Sequence, residues 1–363
     1  MHVTSFTQDK NGRRGVRGYK QPLDAVPSSS DLVDYNTTTA LEFTATPAGE
    51  LVSRHTHDAV RFRGVPRAWD GSVLQLVPGE ACNTILMPDG SQLMCALVGS
   101  AGCWGRTTSA SCKQINNTGL SSAGCVGGLA CPGPTLVALR STDGSVGRSW
   151  HFQGIIYQAK SIFVETNMAV LADQKTLIAV ARISGNAGCG SVVNPKAPKG
   201  EWYTTSDYRW YHQSYSSDEG RSWSKMTPII GAGSCRPRLI SFPGGPLVLA
   251  GGRMCVAHTQ GLFIWVNRAG DGRDWVAVDL TSAHNRGLNA SDSRRFTSLV
   301  NESEGWQAQA EVGLIATGPH EALITYNKYG TPPAGGSPSG GSIAFSMRLK
   351  FAAQPRATVR TEQ

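Results

Sequence analysis

The chain has 363 residues, 40% of them hydrophobic and 17% charged, with a net charge of +8. That apolar share is enough to bury a substantial core. No apolar run reaches the roughly 18 residues that would make a membrane-spanning helix. The basic residues are spread along the chain, and their one dense cluster is Lys10–Lys20, "KNGRRGVRGYK". Scattered charge of this kind gives no nucleic-acid footprint, and it leaves an acidic sugar as a compatible partner.

Residues 1–50 are polar and basic and read as a loosely structured arm. From about residue 50 a repeated arrangement begins. "NTILMPDGSQLMCALVG" (83–99) predicts strand, turn, strand, with Pro88, Asp89 and Gly90 in the turn. "NMAVLADQKTLIAVAR" (167–182), "RLISFPGGPLVLAGG" (238–252) and "VGLIATGPHEALITYN" (312–327) have the same shape. Between them lie further hairpins that close on Gly-x-x-Trp, at 135–150, 211–223 and 262–275. The unit is two hairpins in a row, one four-stranded sheet per repeat. Abundant glycine (42 residues), prolines without a strict period and scarce helical periodicity agree with an all-β chain. Self-similar four-stranded units stacked around an axis are the means by which β-propellers protect their edges. Residues 50–80 are expected to supply the first sheet, and the strand at 341–351 to pair with it and close the ring. The predicted organisation is an arm at 1–50, a propeller at 51–352 and a tail at 353–363.

Nine cysteines are present, five of them between Cys95 and Cys131. None has C-x-x-C spacing, so no zinc knuckle is expected. That window is rich in Gly and Ser, and disulfides would order it. Four Asn-x-Ser/Thr sequons stand at Asn36, Asn116, Asn289 and Asn301. With the cysteines they point to an extracellular or lumenal protein. The first 30 residues contain no apolar signal-like segment.

The stretch Ser216–Trp223, "SSDEGRSW", carries the most specific signal. Ser216, Asp218, Gly220 and Trp223 match S-x-D-x-G-x-x-W. A looser copy has Ser141, Asp143, Gly147 and Trp150, and a degenerate one has Gly272 and Trp275 in phase with Asp271 one place late. This pattern resembles the Asp box of the sialidase superfamily. The residues predict a turn-stabilising device: an aspartate accepting backbone N–H groups, a glycine at positive φ and a buried indole. The resemblance, over roughly 80–350, implies a six-bladed β-propeller of four-stranded antiparallel blades. It also implies cleavage of terminal sialic acid, with arginines on the sugar carboxylate, a tyrosine nucleophile activated by a glutamate, and an aspartate as acid/base. A tyrosine suits an anionic sugar, which would repel a carboxylate nucleophile.

Carried over position by position, the resemblance gives Glu165 and Arg182 in "VETNMAVLADQKTLIAVAR". Arg63 in "FRGVP" stands in for the first arginine, though it lies early in the chain. Tyr326 and Tyr329 lie near the tyrosine position, and Glu311 occupies it. No aspartate occurs between residues 98 and 142, where the acid/base would fall, and His258, Thr259 and Gln260 stand where a third arginine is expected. Independently of the resemblance, Arg236 and Arg238 are two apart in "SCRPRLI", so strand alternation puts them on one face. With Arg182 and Arg253 they would form a clamp for a carboxylate or sulfate. The candidate catalytic residues are therefore Glu165, Glu311 and Tyr326. The candidate substrate-binding residues are Arg63, Arg182, Arg236, Arg238 and Arg253. His55, His57 and Asp58 ("HTHD") read as incidental rather than as metal ligands, and no cofactor is expected. The expectation is a monomeric sialidase-like hydrolase acting on an acidic glycan, with a non-catalytic glycan- or protein-binding propeller as the alternative.

Overall fold

The computed structural model describes the side chains of residues 62–65, 83–98, 135–142, 149–157, 165–182, 211–233, 236–251, 262–292, 294–296, 312–327 and 343–351, and beyond these the backbone of the strands named below. Five sheets account for nearly all of the regular structure. Sheet I contains β1 (Val3–Gln8), β2 (Arg14–Tyr19), β4 (Ala40–Ala45) and β5 (Leu51–Thr56), all antiparallel. Sheet II runs β3 (Leu32–Thr37), β6 (Val60–Pro66), β11 (Ser149–Gln158), β10 (Thr135–Ser141), β9 (Gln92–Ser100) and β7 (Leu74–Leu76), with β8 (Thr84–Leu86) also on β9. Its β6–β11 pairing is parallel and the rest is antiparallel.

Sheets III and IV are four-stranded antiparallel meanders. Sheet III is β12 (Val164–Val170), β13 (Leu177–Ile183), β14 (Tyr211–Ser216) and β15 (Thr227–Pro228). Sheet IV is β16 (Cys235–Ser241), β17 (Leu247–Gly252), β20 (Phe263–Asn267) and β21 (Val276–Asp279). A ribbon of β18 (Met254–Val256) and β19 (Thr259–Gly261) interrupts it. Sheet V holds β22 (Ala308–Gly318), β23 (Glu321–Tyr329) and β24 (Ser342–Lys350). The short helix α1 (Thr281–Arg286) follows sheet IV.

All four hairpins expected from the sequence form. Turn chemistry explains their positions. Gly90 adopts φ +82°, and Asp89 Oδ1 accepts the Ser91 N–H at 3.0 Å. Asp173 likewise accepts the N–H groups of Lys175 and Thr176 at 2.9 and 2.8 Å. Two expectations change. Strands β1 to β4 stand within the segment read as a loose arm, because "VTSFTQ", "RGVRGY" and "ALEFTA" pair with one another and with β5. The strand at 342–350 pairs with β23 rather than with an N-terminal sheet, in continuous register from Glu321–Lys350 to Tyr329–Ser342. The tail at 353–363 lies outside the described residues.

The core lies between sheets, on both faces of each inner one. In β13, Leu177, Ala179 and Ala181 pack with Leu93, Leu97 and Leu136 of sheet II. Their alternates Ile178 and Val180 pack with Leu239, Leu249 and Trp265 of sheet IV, in a cluster that continues to Val312, Ala322 and Ile324 of sheet V. A period of two with both faces covered makes the strand read as continuously apolar. The sheets are thus stacked face to face in the order II, III, IV, V.

The Gly-x-x-Trp turns fasten each sheet to the one before it. In the Ser216–Trp223 turn, Gly220 (φ +90°) donates its N–H to Ser216 Oγ at 2.8 Å, Asp218 accepts the Ser222 N–H at 2.9 Å, and the Trp223 indole donates to the Gly220 carbonyl at 3.0 Å. The turn docks on sheet II through Arg140, which bonds Glu219 at 2.6 Å and Asp89 at 2.5 Å. The turn before Trp275 repeats the design with one extra residue. Asn267 replaces the serine and accepts the Gly272 N–H at 2.9 Å, and the Trp275 indole again bonds the glycine carbonyl at 2.9 Å. It docks on sheet III, where Tyr215 donates to the Gly272 carbonyl at 2.9 Å. Of the copy before Trp150, Asp143 and Gly147 lie outside the described residues, while Trp150 is wholly buried.

Candidate active site at the inner strands

The first strands of successive sheets lie side by side: β8 by β12, β12 by β16, and β16 by β22. Side chains bond across each step. Asn83 holds Met168 by both its carbonyl and its N–H, each at 2.7 Å. Asn167 accepts the Leu239 N–H at 3.0 Å, and Arg238 Nε donates to the Val312 carbonyl at 3.1 Å. These bonds satisfy polar groups that stacking of the sheets removes from water.

Glu165 and Arg182 face one another across the β12–β13 ladder. The hairpin turn thereby converts their spacing of seventeen residues into direct contact, and Arg182 Nη1 donates to Glu165 Oε2 at 2.6 Å. Only about a tenth of either side chain is exposed, at 10% and 11%. From β16, Arg236 gives Oε2 its main-chain N–H at 2.7 Å, and its Nε reaches Oε1 at 3.3 Å. The carboxylate thus gathers two guanidiniums and a backbone amide. Removing it would leave Arg182 as a buried charge without its counter-ion. Arg182 Nε is also buried, and it has no hydrogen-bond partner among the described residues.

Arg236 and Arg238 do not share a face. The ladder between β16 and β17 shifts register between Cys235 and Arg238, and Arg236 has φ +45°. The bulge breaks strand alternation. Arg236 consequently turns to Glu165 in sheet III, while Arg238 Nε turns to Val312 in sheet V. The left-handed conformation of a non-glycine residue costs on the order of 1–3 kcal/mol. The bond from its N–H to a carboxylate offsets part of that strain.

Tyr326 occupies a different environment. It is 3% exposed and lies in the core beside Phe296 and Phe345. Its hydroxyl is 2.8 Å from His284 Nδ1, and His284 Nε2 is 2.9 Å from the Arg294 carbonyl. A carbonyl can only accept, so Nε2 carries the proton, and with the imidazole neutral the tyrosine hydroxyl donates to Nδ1. Burial pushes the Tyr326 hydroxyl up to about 12. A buried, high-pKa donor is poorly suited to nucleophilic attack.

The remaining candidates are placed as follows. Glu311 is on β22 and His55 on β5, with their side chains outside the described residues, as are Tyr329's side chain, Arg253, His57 and Asp58. Arg63 is on β6, opposite His151 of β11 on the far side of sheet II. The structure therefore brings together Glu165, Arg182 and Arg236, while Tyr326 pairs with Val312 in sheet V and Arg63 lies on β6 of sheet II. The sequence reading missed the asparagine bridges and His284. Asn83 and Asn167 recur just inside equivalent hairpins, which was a usable signal. His284 sits on a short helix with no local signature.

Comparison with solved structures finds similar chains at TM-scores below 0.5, among them sialidases and other glycoside hydrolases. A protein of unknown function from Dyadobacter fermentans is similar at 12% identity, over 96% of this chain and 76% of that one, with a TM-score of 0.48. A Hadza microbial sialidase is similar at 13% identity over 90% of this chain and 49% of its own, with a TM-score of 0.46. A Trypanosoma rangeli sialidase, solved in complex with sialic acid, is similar at 10% identity over 96% and 44%, with a TM-score of 0.44. The chain spans less than half the length of these two sialidases. No family model and no curated protein sequence matches it.

Proposed function

We propose that the protein is a six-bladed propeller of the sialidase type, acting as an exo-sialidase-like glycoside hydrolase on terminal sialic acid or a related acidic sugar. The observation that carries this reading is the Glu165–Arg182–Arg236 cluster at the inner strands. Among the described residues the Arg182 and Arg236 guanidiniums meet at the one Glu165 carboxylate. A sugar carboxylate complements the Arg236 guanidinium, whose side chain is 35% exposed, since guanidinium forks bind planar anions bidentately. In this reading Glu165 positions the arginines and accepts a proton during attack. Glu311, on β22 two sheets along from Glu165, is the candidate second carboxylate for a water route.

The burial of Tyr326 favours a second reading, in which the same cluster binds an acidic glycan without cleaving it. Hydrolysis of a fluorogenic sialoside, by the wild type and by Glu165→Gln, separates the two. Turnover by the wild type that is lost in the variant supports the hydrolase. Saturable binding of the sialoside with no turnover establishes the binding protein instead.

A further inference from the structure

We propose that Asn289 is an N-glycan attachment site, fed by a lipid-linked diphospho-oligosaccharide. The segment Asn289-Ala290-Ser291 is a sequon with alanine in the middle position, and all three residues are exposed. It forms the tip of a loop whose neck is closed independently of it. At the neck, Asn285 Nδ2 donates to the Phe296 carbonyl at 2.7 Å, and Asn285 Oδ1 accepts the Phe296 N–H at 2.9 Å. Arg295 Nη1 ties the carbonyls of Asn285 and Leu288 from inside, at 2.8 and 2.6 Å. His284, one residue before the neck, bonds Arg294 on the returning arm. The neck therefore has its own bonds, and Phe296 is buried beneath it.

The Asn289 side chain takes no part in this frame. Its main-chain carbonyl accepts the Asp292 N–H at 3.0 Å in a tight turn. A large solvated substituent on Nδ2 would break none of the bonds that hold the loop. Compact loops with packed necks and free tips tolerate such additions. Asn36 differs, because it lies within β3, paired to Arg61 of β6. Asn116 and Asn301 lie outside the described residues. In the transfer step a bond forms between Asn289 Nδ2 and the anomeric carbon of the first sugar. The bond from that carbon to the diphosphate oxygen breaks, the amide nitrogen loses a proton, and the polyprenyl diphosphate leaves.

The test is expression of the full chain behind a secretory leader in a eukaryotic host, followed by enzymatic deglycosylation in heavy-oxygen water and mapping of the tryptic peptide 287–294. The expected result is conversion of residue 289 to isotope-labelled aspartate, with glycan mass lost from the intact protein. Ser291→Ala should abolish the label at residue 289 and leave the thermal unfolding temperature unchanged. An unlabelled Asn289 in secreted protein, whether or not another sequon is occupied, would overturn the proposal.

Discussion

Arg236 donates its main-chain N–H to the Glu165 carboxylate at 2.7 Å, from a left-handed backbone conformation in the neighbouring sheet. The relationship couples the backbone of sheet IV to the buried charge of sheet III. It gives Glu165 a structural role independent of any chemistry. Glu165→Ala leaves Arg182 uncompensated and should destabilise the fold by about 3–5 kcal/mol. Glu165→Gln keeps one acceptor oxygen, enough for Arg182 Nη1 and the Arg236 N–H, but sets an amide N–H against Arg236 Nε; it should lose less than the alanine variant while removing the carboxylate charge. Denaturant unfolding of the two variants checks the order.

Gly154 tests the docking between sheets. A Cβ there would meet the main-chain oxygens of Arg221 and Gly220, the latter at 2.5 Å. Backbone oxygens held in a closed turn cannot give way cheaply. Gly154→Ala should therefore destabilise by at least about 1–3 kcal/mol. Gly90→Ala, at φ +82° with open space around it, carries only the conformational penalty of about 1–2 kcal/mol. Parallel denaturation curves compare them, and the Gly154 variant should show the lower midpoint.

The Ser216–Trp223 turn has a pH signature. Hydrogen bonding by the Ser222 hydroxyl, then by its N–H, holds the Asp218 carboxyl down at about 2. A depressed native pKa stabilises above the unfolded value of 3.8, and that contribution is lost as pH falls towards 2. Asp218→Asn should flatten the acid limb of the stability profile without altering ligand affinity. Thermal melts across that window read it.

Tyr326→Phe removes the donor to His284 Nδ1 and leaves a buried acceptor unpaired. It should cost about 1–3 kcal/mol. Sialoside turnover or binding per folded molecule should stay within about threefold of wild type, since the hydroxyl faces the core. In the wild type, burial raises the Tyr326 pKa from 10.0 to about 12. Its contribution to stability is therefore complete below 10 and declines as pH rises towards 12. The variant should lack that alkaline decline.

The hairpins were legible because turn residues and apolar runs are local. "LADQKTL" marks its own turn, and "LIAVA" is apolar throughout because both faces of β13 are covered. Glu165 and Arg182 were legible for the same reason, since a hairpin register fixes which residues oppose. Arg236 and Arg238 were misread because alternation assumes a regular strand, and the bulge at this Arg-Pro step is set by contacts in three dimensions. Tyr326 was nominated by its neighbourhood in the chain. Its role depends on His284, forty-two residues away and on another element. The Asp271 turn looked degenerate, yet Asn267 restores its bonds by using a longer side chain across one more residue.

The central claim is that Glu165, Arg182 and Arg236 form a receptor for a sugar carboxylate. Isothermal titration with a sialoside and with its carboxylate methyl ester tests it most directly. The account predicts saturable binding of the acid that weakens with added salt, and at least a tenfold loss for the ester or for Arg236→Ala. Equal binding of acid and ester, or no binding of the acid by folded protein, would contradict it.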